Sequence, residues 1–147
     1  MTRELQEKLE SYQRVWAEVD LDAIWENMVH MKENIAENTK ILAVIKTDGY
    51  GHGGVPIAKM LEQLDFMFGY AAATYEEAHV LREAGVKKPI LILGYTFPYY
   101  YEELIREEIR PAVYRRDTVE ELVAAAAKVG QKAKVHIKVD TGMGRIG

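Results

Sequence analysis

The chain has 147 residues, no cysteine, 48% hydrophobic and 29% charged residues, and a formal net charge of −4. That length can bury one substantial core, and the missing thiols exclude disulfides, thiolate zinc sites and thiol catalysis. A mildly acidic chain without a basic run is not suited to nucleic acid, and no stretch reaches the ~20 apolar residues of a membrane span.

The start, MTRELQEKLESYQRV, has no apolar core of signal-peptide length, so residues 1–14 are expected to be a polar leader and the protein cytoplasmic. Val15–Val19 (VWAEV) reads as a short strand. Asp20 or Asp22 can cap a helix whose Leu21, Ile24, Met28, Met31 and Ile35 recur at nearly helical spacing. Ile41–Ile45 (ILAVI) is an unbroken apolar run of strand length, the pattern of a strand buried on both faces.

A glycine-rich loop over 49–54 leads into a helix carrying Ile57, Ala58, Leu61 and Leu64. The segment 66–73 is the next predicted strand, and Thr74 with Glu77 forms a capping-box pattern for a helix stopped by Gly85. Further strands are expected at 89–93, 111–114 and 134–139. Between them lie a short helix over 100–106 and one opened by Asp117 and closed by Gly130.

Strands and helices in this alternation indicate βα units around parallel strands, and their recurrence every ~20–25 residues fits a (β/α)8 TIM-type barrel. Such a barrel needs about 250 residues. The chain is therefore expected to hold an N-terminal portion, about five of eight units over 15–147, preceded by a short strand and helix. In KVHIKVD, Val135, Ile137 and Val139 alternate with His136, Lys138 and Asp140. A barrel strand would turn its apolar set to the helices and His136 and Lys138 to the lumen. An edge strand with a solvated face gives the same pattern, and the residues do not choose between them.

Two clusters could carry chemistry. The first, Lys46-Thr47-Asp48-Gly49-Tyr50-Gly51-His52-Gly53-Gly54, follows the strand ILAVI at the end where barrel active sites are built. A lysine there is suited to bonding an aldehyde cofactor, against the bland reading of a surface lysine before a flexible loop. The second, Lys138 through Gly147, offers Arg145 as a planar fork of donors for an anionic oxygen. Both contain G-x-G-x-x-G spacing, the first with Glu76 and Glu77 near the distance of a ribose-binding acid. Three residues separate the first strand from its first glycine, which is wrong for the tight dinucleotide turn, and both acids fit a capped first turn. Tyr99, Tyr100 and Tyr101 could stack on a ligand but also fit a helix start. No second His and no Cys stands one helical turn from His30 or His79, so no metal is assigned.

Taken together, WAEVDLDAI, AVIKTDGYGHG, AAATYEEAHVLREAG, KKPILILG and HIKVDTGMGRIG resemble the alanine racemase family over nearly the whole chain after the first dozen residues. Thr47 and Gly49 replace commoner small residues, and YAAATYEEA departs slightly from the usual wording. The resemblance implies pyridoxal 5'-phosphate as cofactor and alanine as substrate, in a homodimer that supplies D-alanine for peptidoglycan. It further implies that Lys46 is the lysine bonded to the cofactor and a base at the substrate α-carbon. By the same resemblance Tyr50 binds the cofactor phosphate, and Arg145 donates to the ring's phenolic oxygen. Lys138 matches a lysine that is carbamylated in many members, a change that makes it an anion and gives Arg145 a partner. The second base would be a tyrosine from the C-terminal domain of the other subunit, outside this sequence, so the chain alone is expected to be inactive. A serine racemase of the same fold and a non-catalytic barrel that carries the cofactor are the alternatives.

Overall fold

The computed structural model describes residues 15–147 together with Glu7 and Tyr12. The expected polar leader lies outside the described residues apart from those two. Val15–Val19 does not form the predicted strand: residues 15–20 have no regular structure, and Val15 and Trp16 are exposed. A short apolar run makes a strand only where a neighbouring edge supplies hydrogen bonds. No described strand pairs with this segment.

Helix α1, Leu21–Glu33, begins as its sequence requires. Asp20 is the N-cap, and its Oδ1 accepts from the Ala23 N–H at 3.0 Å. Of the predicted apolar stripe only Met28 is fully buried, with Leu21 and Ile24 packed beside it. Met31 and Ile35 face solvent, because the helix meets the core along its first two turns only.

Five parallel strands follow in simple order: β1 Ile41–Val44, β2 Met67–Ala72, β3 Ile90–Ile92, β4 Ile109–Val113 and β5 His136–Ile137. The helices that return the chain are α2 Gly54–Leu61, α3 Tyr75–Glu83, α4 Tyr101–Arg106 and α5 Arg116–Val129. Sequential parallel pairing with a helix between each pair is the arrangement of a partial (β/α) barrel. Strand β4 starts two residues before the predicted 111–114, taking in Ile109 and Arg110, and its buried Pro111 pairs with Ile92. The charge of Arg110 concealed that start. Asp117 lies in the first turn of α5 behind the N-cap Arg115, while Gly130 closes that helix in a left-handed conformation as expected.

The strands bury both faces. On the helix side Met67, Tyr70, Ile90, Ile92 and Ile109 pack against Ile57, Ala58, Leu61 and the inner faces of α3 and α4. On the other, Ala71, Leu91 and Ala112 form a separate cluster with Leu42 and Leu93, the lining of the lumen. Arg82 at the end of α3 holds the bottoms of two strands. Its guanidinium donates to the carbonyls of Glu107, Val86, Lys88 and Glu108 at 2.8, 2.7, 2.9 and 3.3 Å. Beyond α5, Val113, Leu122, Val123, Ala126 and Val135 line an apolar cavity of about 370 Å³. The outward Ile137 of β5 is 82% exposed. A closed barrel packs its next helix at this position.

Candidate active site

In parallel strands all C-terminal ends share one rim, and the chain leaves β1 on that rim at Ile45. Ile45 is buried and donates its N–H to the Ala71 carbonyl at 2.9 Å, which fixes where Lys46 begins. The backbone then turns left-handed at five consecutive residues: Thr47 (φ 54°), Asp48 (φ 50°), Gly49 (φ 63°), Tyr50 (φ 57°) and Gly51 (φ 84°). A left-handed residue with a Cβ costs about 1–2 kcal/mol, and Thr47, Asp48 and Tyr50 all carry one. Such a turn persists only if its surroundings hold it.

Four hydrogen bonds do so. The Gly49 N–H donates to Ile45 O at 2.9 Å and the Gly53 N–H to Asp48 O at 2.9 Å. Asp48 Oδ1 accepts from the Gly54 N–H at 2.7 Å. Glu77 Oε1, on α3, accepts from the Thr47 N–H at 2.9 Å. Gly49 and Gly54 are buried against each other, and a Cβ on Gly49 would sit 3.2 Å from the Gly54 nitrogen. The turn therefore has room for glycine at 49 and little else. Its result is a pairing of side chains: the Lys46 ammonium lies 5.5 Å from the centre of the Tyr50 ring. His52 Nδ1 is 3.0 Å from the Gly49 carbonyl, within the loop's own bonding.

The second predicted cluster leaves β5 on the same rim, four strands away. Asp140 Oδ1 accepts from the Gly142 and Gly144 N–H groups at 2.9 and 3.1 Å. Those backbone donors hold its carboxyl below the ordinary range. Arg145 is exposed in this loop, and Lys138 is half-buried and continues the β5 pairing through its N–H to Val113 O at 2.9 Å. Among the described residues no hydrogen bond or ion pair joins Lys46 and Tyr50 to Lys138 and Arg145. The inner face of the strands is polar near its base. The Arg110 guanidinium lies 5.4 Å from the Phe68 ring centre and His136 meets that ring edge-on at 6.1 Å. Burial, and secondarily Arg110, push the His136 imidazole down. His136 is thus on the lumen side and Val135 on the helix side, as a barrel strand requires.

The tyrosines divide. Tyr101 is buried with its hydroxyl on Thr96 O at 3.2 Å, and burial pushes that phenol up to about 12. Tyr100 stacks on Tyr75 at 4.4 Å, and Tyr99 is exposed beside Phe97. Asp48 and Glu77 are the functional-loop residues that spacing alone does not reveal. Glu77 carries a local signal, the T-x-x-E pattern, which accounts for it without reference to a loop thirty residues earlier.

The comparisons agree with this geometry. Residues 19–147 match the model of the family described as alanine racemase, N-terminal domain. The chain belongs to that family. It is 43% identical over 141 residues to an alanine racemase of Oceanobacillus iheyensis, covering 95% of this chain and 37% of that protein. Among solved structures it resembles the alanine racemase of Clostridium difficile 630, with TM-score 0.86 and 42% identity over 90% of this chain and 34% of the other. It also resembles a histidine racemase of Leuconostoc mesenteroides, with TM-score 0.77 and 30% identity over 88% of this chain and 34% of the other. The chain spans about a third of the length of the curated relatives it matches.

The residues present suit a planar aldehyde that bears anionic oxygens. Lys46 supplies a primary amine at the rim, the one side chain that condenses with an aldehyde. Tyr50, 58% exposed beside it, offers a phenol as donor, and Arg145 a guanidinium. That donor set fits pyridoxal 5'-phosphate.

Proposed function

We propose that this chain is the cofactor-lysine portion of a pyridoxal-phosphate-dependent alanine racemase, interconverting L- and D-alanine. The observation that carries the proposal is the held left-handed turn after β1, which sets Lys46 and Tyr50 together on the rim of a family-matched barrel. Pyridoxal phosphate, when bound, supplies an aldehyde that captures the amino acid's amine and a conjugated ring that spreads the charge left at the α-carbon. Lys46 Nζ holds the cofactor at rest and then takes or returns the α-proton on one face of the substrate. The Tyr50 hydroxyl binds the phosphate. Arg145 donates to the phenolic oxygen, and a carbamylated Lys138 would present an anion to Arg145. A tyrosine hydroxyl from the C-terminal domain of a partner subunit serves the opposite face. The working protein is then a cytoplasmic homodimer supplying D-alanine for peptidoglycan, and residues 15–147 alone are inactive.

Similarity to a histidine racemase as well as to alanine racemases favours one second reading, a racemase of this fold acting on another amino acid such as serine. Kinetics of the full-length protein with alanine, serine and histidine separate the two. The first reading expects the highest kcat/KM for alanine. The central assignment is tested by Lys46→Ala in the full-length protein: the absorbance band of lysine-linked cofactor disappears and racemisation with it. A band that survives Lys46→Ala removes Lys46 from its role. A protein that gains the band but racemises no amino acid is the non-catalytic barrel that carries the cofactor, and one that gains no band ends the cofactor reading.

A further inference from the structure

The pattern Thr74-x-x-Glu77 would ordinarily return the glutamate side chain to the N-cap N–H of its own helix. Here only half of that box forms: Thr74 Oγ1 accepts from the Glu77 N–H at 3.4 Å. The Glu77 carboxylate reaches past Thr74. Its Oε2 accepts from the Ala73 N–H at 2.8 Å, and its Oε1 accepts from the Thr47 N–H at 2.9 Å. One carboxylate thus ties the end of β2 to the residue that follows Lys46.

Thr47 is the first left-handed residue of the turn, at φ 54° and ψ 48°. A β-branched residue resists that conformation more than most. Its N–H has no turn partner before it, because the turn's own first bond starts at Gly49. Glu77 supplies the missing acceptor. Two N–H donors converge on one carboxylate, which offers each its own charged oxygen. The carboxylate also lines a small cavity with Ile45, Asp48, Gly54 and Val80, directly under the turn. Asp48 closes the far end of the turn on Gly54. Glu77 therefore closes the near end, where the backbone direction of Lys46 is set.

We infer that Glu77 is a positioning residue for Lys46: by holding the Thr47 N–H it sets the left-handed start of the turn and so the approach of the lysine amine to the cofactor aldehyde and the substrate α-carbon. This rests on the proposed role of Lys46. Glutamine at 77 would turn an amide N–H toward one of the two donors and break one of the two bonds. Aspartate keeps the charge but is one methylene too short to span both.

The test uses the full-length protein and its Glu77→Gln, Glu77→Asp and Lys46→Ala variants, with Glu76→Gln as control. Glu76 is the neighbouring acid of the same helical turn and bonds Tyr100 instead. Three quantities are read: amide exchange over 46–53 in the cofactor-free protein, the dissociation constant of pyridoxal phosphate from its absorbance band, and turnover per cofactor-loaded site. In Glu77→Gln and Glu77→Asp the Thr47 amide exchanges at least about 10-fold faster, cofactor binding weakens, and kcat per loaded site falls by about 10- to 100-fold, the range expected for sub-ångström to ångström misplacement of a reacting group. Glu76→Gln leaves all three unchanged. A merely structural Glu77 would lower the melting temperature and leave turnover per loaded site at the wild-type value, which overturns the inference. So does an unprotected Thr47 amide in the wild-type protein, a readout that stands even if both Glu77 variants fail to fold. If Lys46→Ala keeps the absorbance band, the functional reading itself falls. If Lys46→Ala loses it while both Glu77 variants bind and turn over as wild type, only the role of Glu77 falls.

Discussion

Two loops of this chain share the spacing G-x-G-x-x-G, Gly49-Gly51-Gly54 after β1 and Gly142-Gly144-Gly147 after β5, and they are physically different objects. The first is bonded outward. Besides its internal bonds, its Gly49 N–H reaches back to Ile45 O at the end of β1, and its Thr47 N–H reaches Glu77 on α3. Asp48 ties the turn to Gly54 at the start of α2, and Gly49 and Gly54 are buried against each other. The second is bonded inward: Asp140 gathers the N–H groups of Gly142 and Gly144, and residues 140–145 are exposed. In the first loop Gly49 is crowded where a Cβ would sit, 3.2 Å from Gly54 N and Ile57 Cδ1, while Gly51 has positive φ and open space. In the second Gly142 and Gly144 pass through positive φ with open space around them, and Gly147 is instead crowded by Asp140 of the same loop. The same spacing therefore marks a fixed platform in one place and a locally stitched turn in the other.

The sharpest way to break this contrast is Gly49→Ala set against Gly144→Ala. Both sites have positive φ, 63° and 67°, but only the first is crowded. Alanine at 49 combines left-handed strain with contacts at 3.2 Å to Gly54 N and Ile57 Cδ1 and should lower stability by about 2–3 kcal/mol. Denaturant titration of the cofactor-free full-length protein measures it, and equal losses at both positions would end the distinction.

Next in size is Asp48→Ala. It leaves the buried Gly54 N–H without its 2.7 Å acceptor and should cost about 1–2 kcal/mol in the same titration. It should also weaken cofactor retention, whereas Gly144→Ala, with strain alone, costs about 1 kcal/mol.

The smallest effect concerns pH. The Gly142 and Gly144 N–H groups hold the Asp140 carboxyl below the ordinary carboxylate range. A depressed carboxyl stabilises the folded loop above its unfolded value, and that stabilisation is lost as pH falls from about 4 through the lowered folded value. Amide shifts of Gly142 and Gly144 followed by NMR should therefore move with a midpoint below the ordinary carboxylate value, with the first loop unaffected. A midpoint at the ordinary carboxylate value would show that the inward stitching does not hold in solution.

Most of the scaffold was legible from local pattern. The run ILAVI, the Asp20 cap, the Ile57-Ala58-Leu61-Leu64 stripe and the Gly130 stop each follow from a periodicity or a backbone preference that a few neighbouring residues express. Errors fell where a neighbour was needed. Val15–Val19 reads as a short strand, but no described strand pairs with it. Strand β4 begins at Ile109, two residues before the predicted start, because the pairings of Ile90 with Ile109 and of Leu91 with Arg110 are made by the sheet and not by propensity. Asp117 looks like a cap, yet its carboxylate bonds Thr118 N at 2.8 Å inside the first turn of α5.

The site divides along the same line. Sequence by itself determined that an amine stands at the C-terminal end of a buried strand, that a glycine-rich loop follows, and that the wording of both rim loops is that of the alanine racemase family. Those are properties of contiguous residues. The left-handed path after Lys46 was decided only in three dimensions, since its strain is balanced by Gly54, six residues from Asp48, and by Glu77, thirty residues from Thr47. Glutamate 77 reads locally as a helix cap because a hydrogen-bond acceptor looks the same in sequence whichever donor it will meet. The fold chose the donor, by bringing the start of α3 beneath the end of β1.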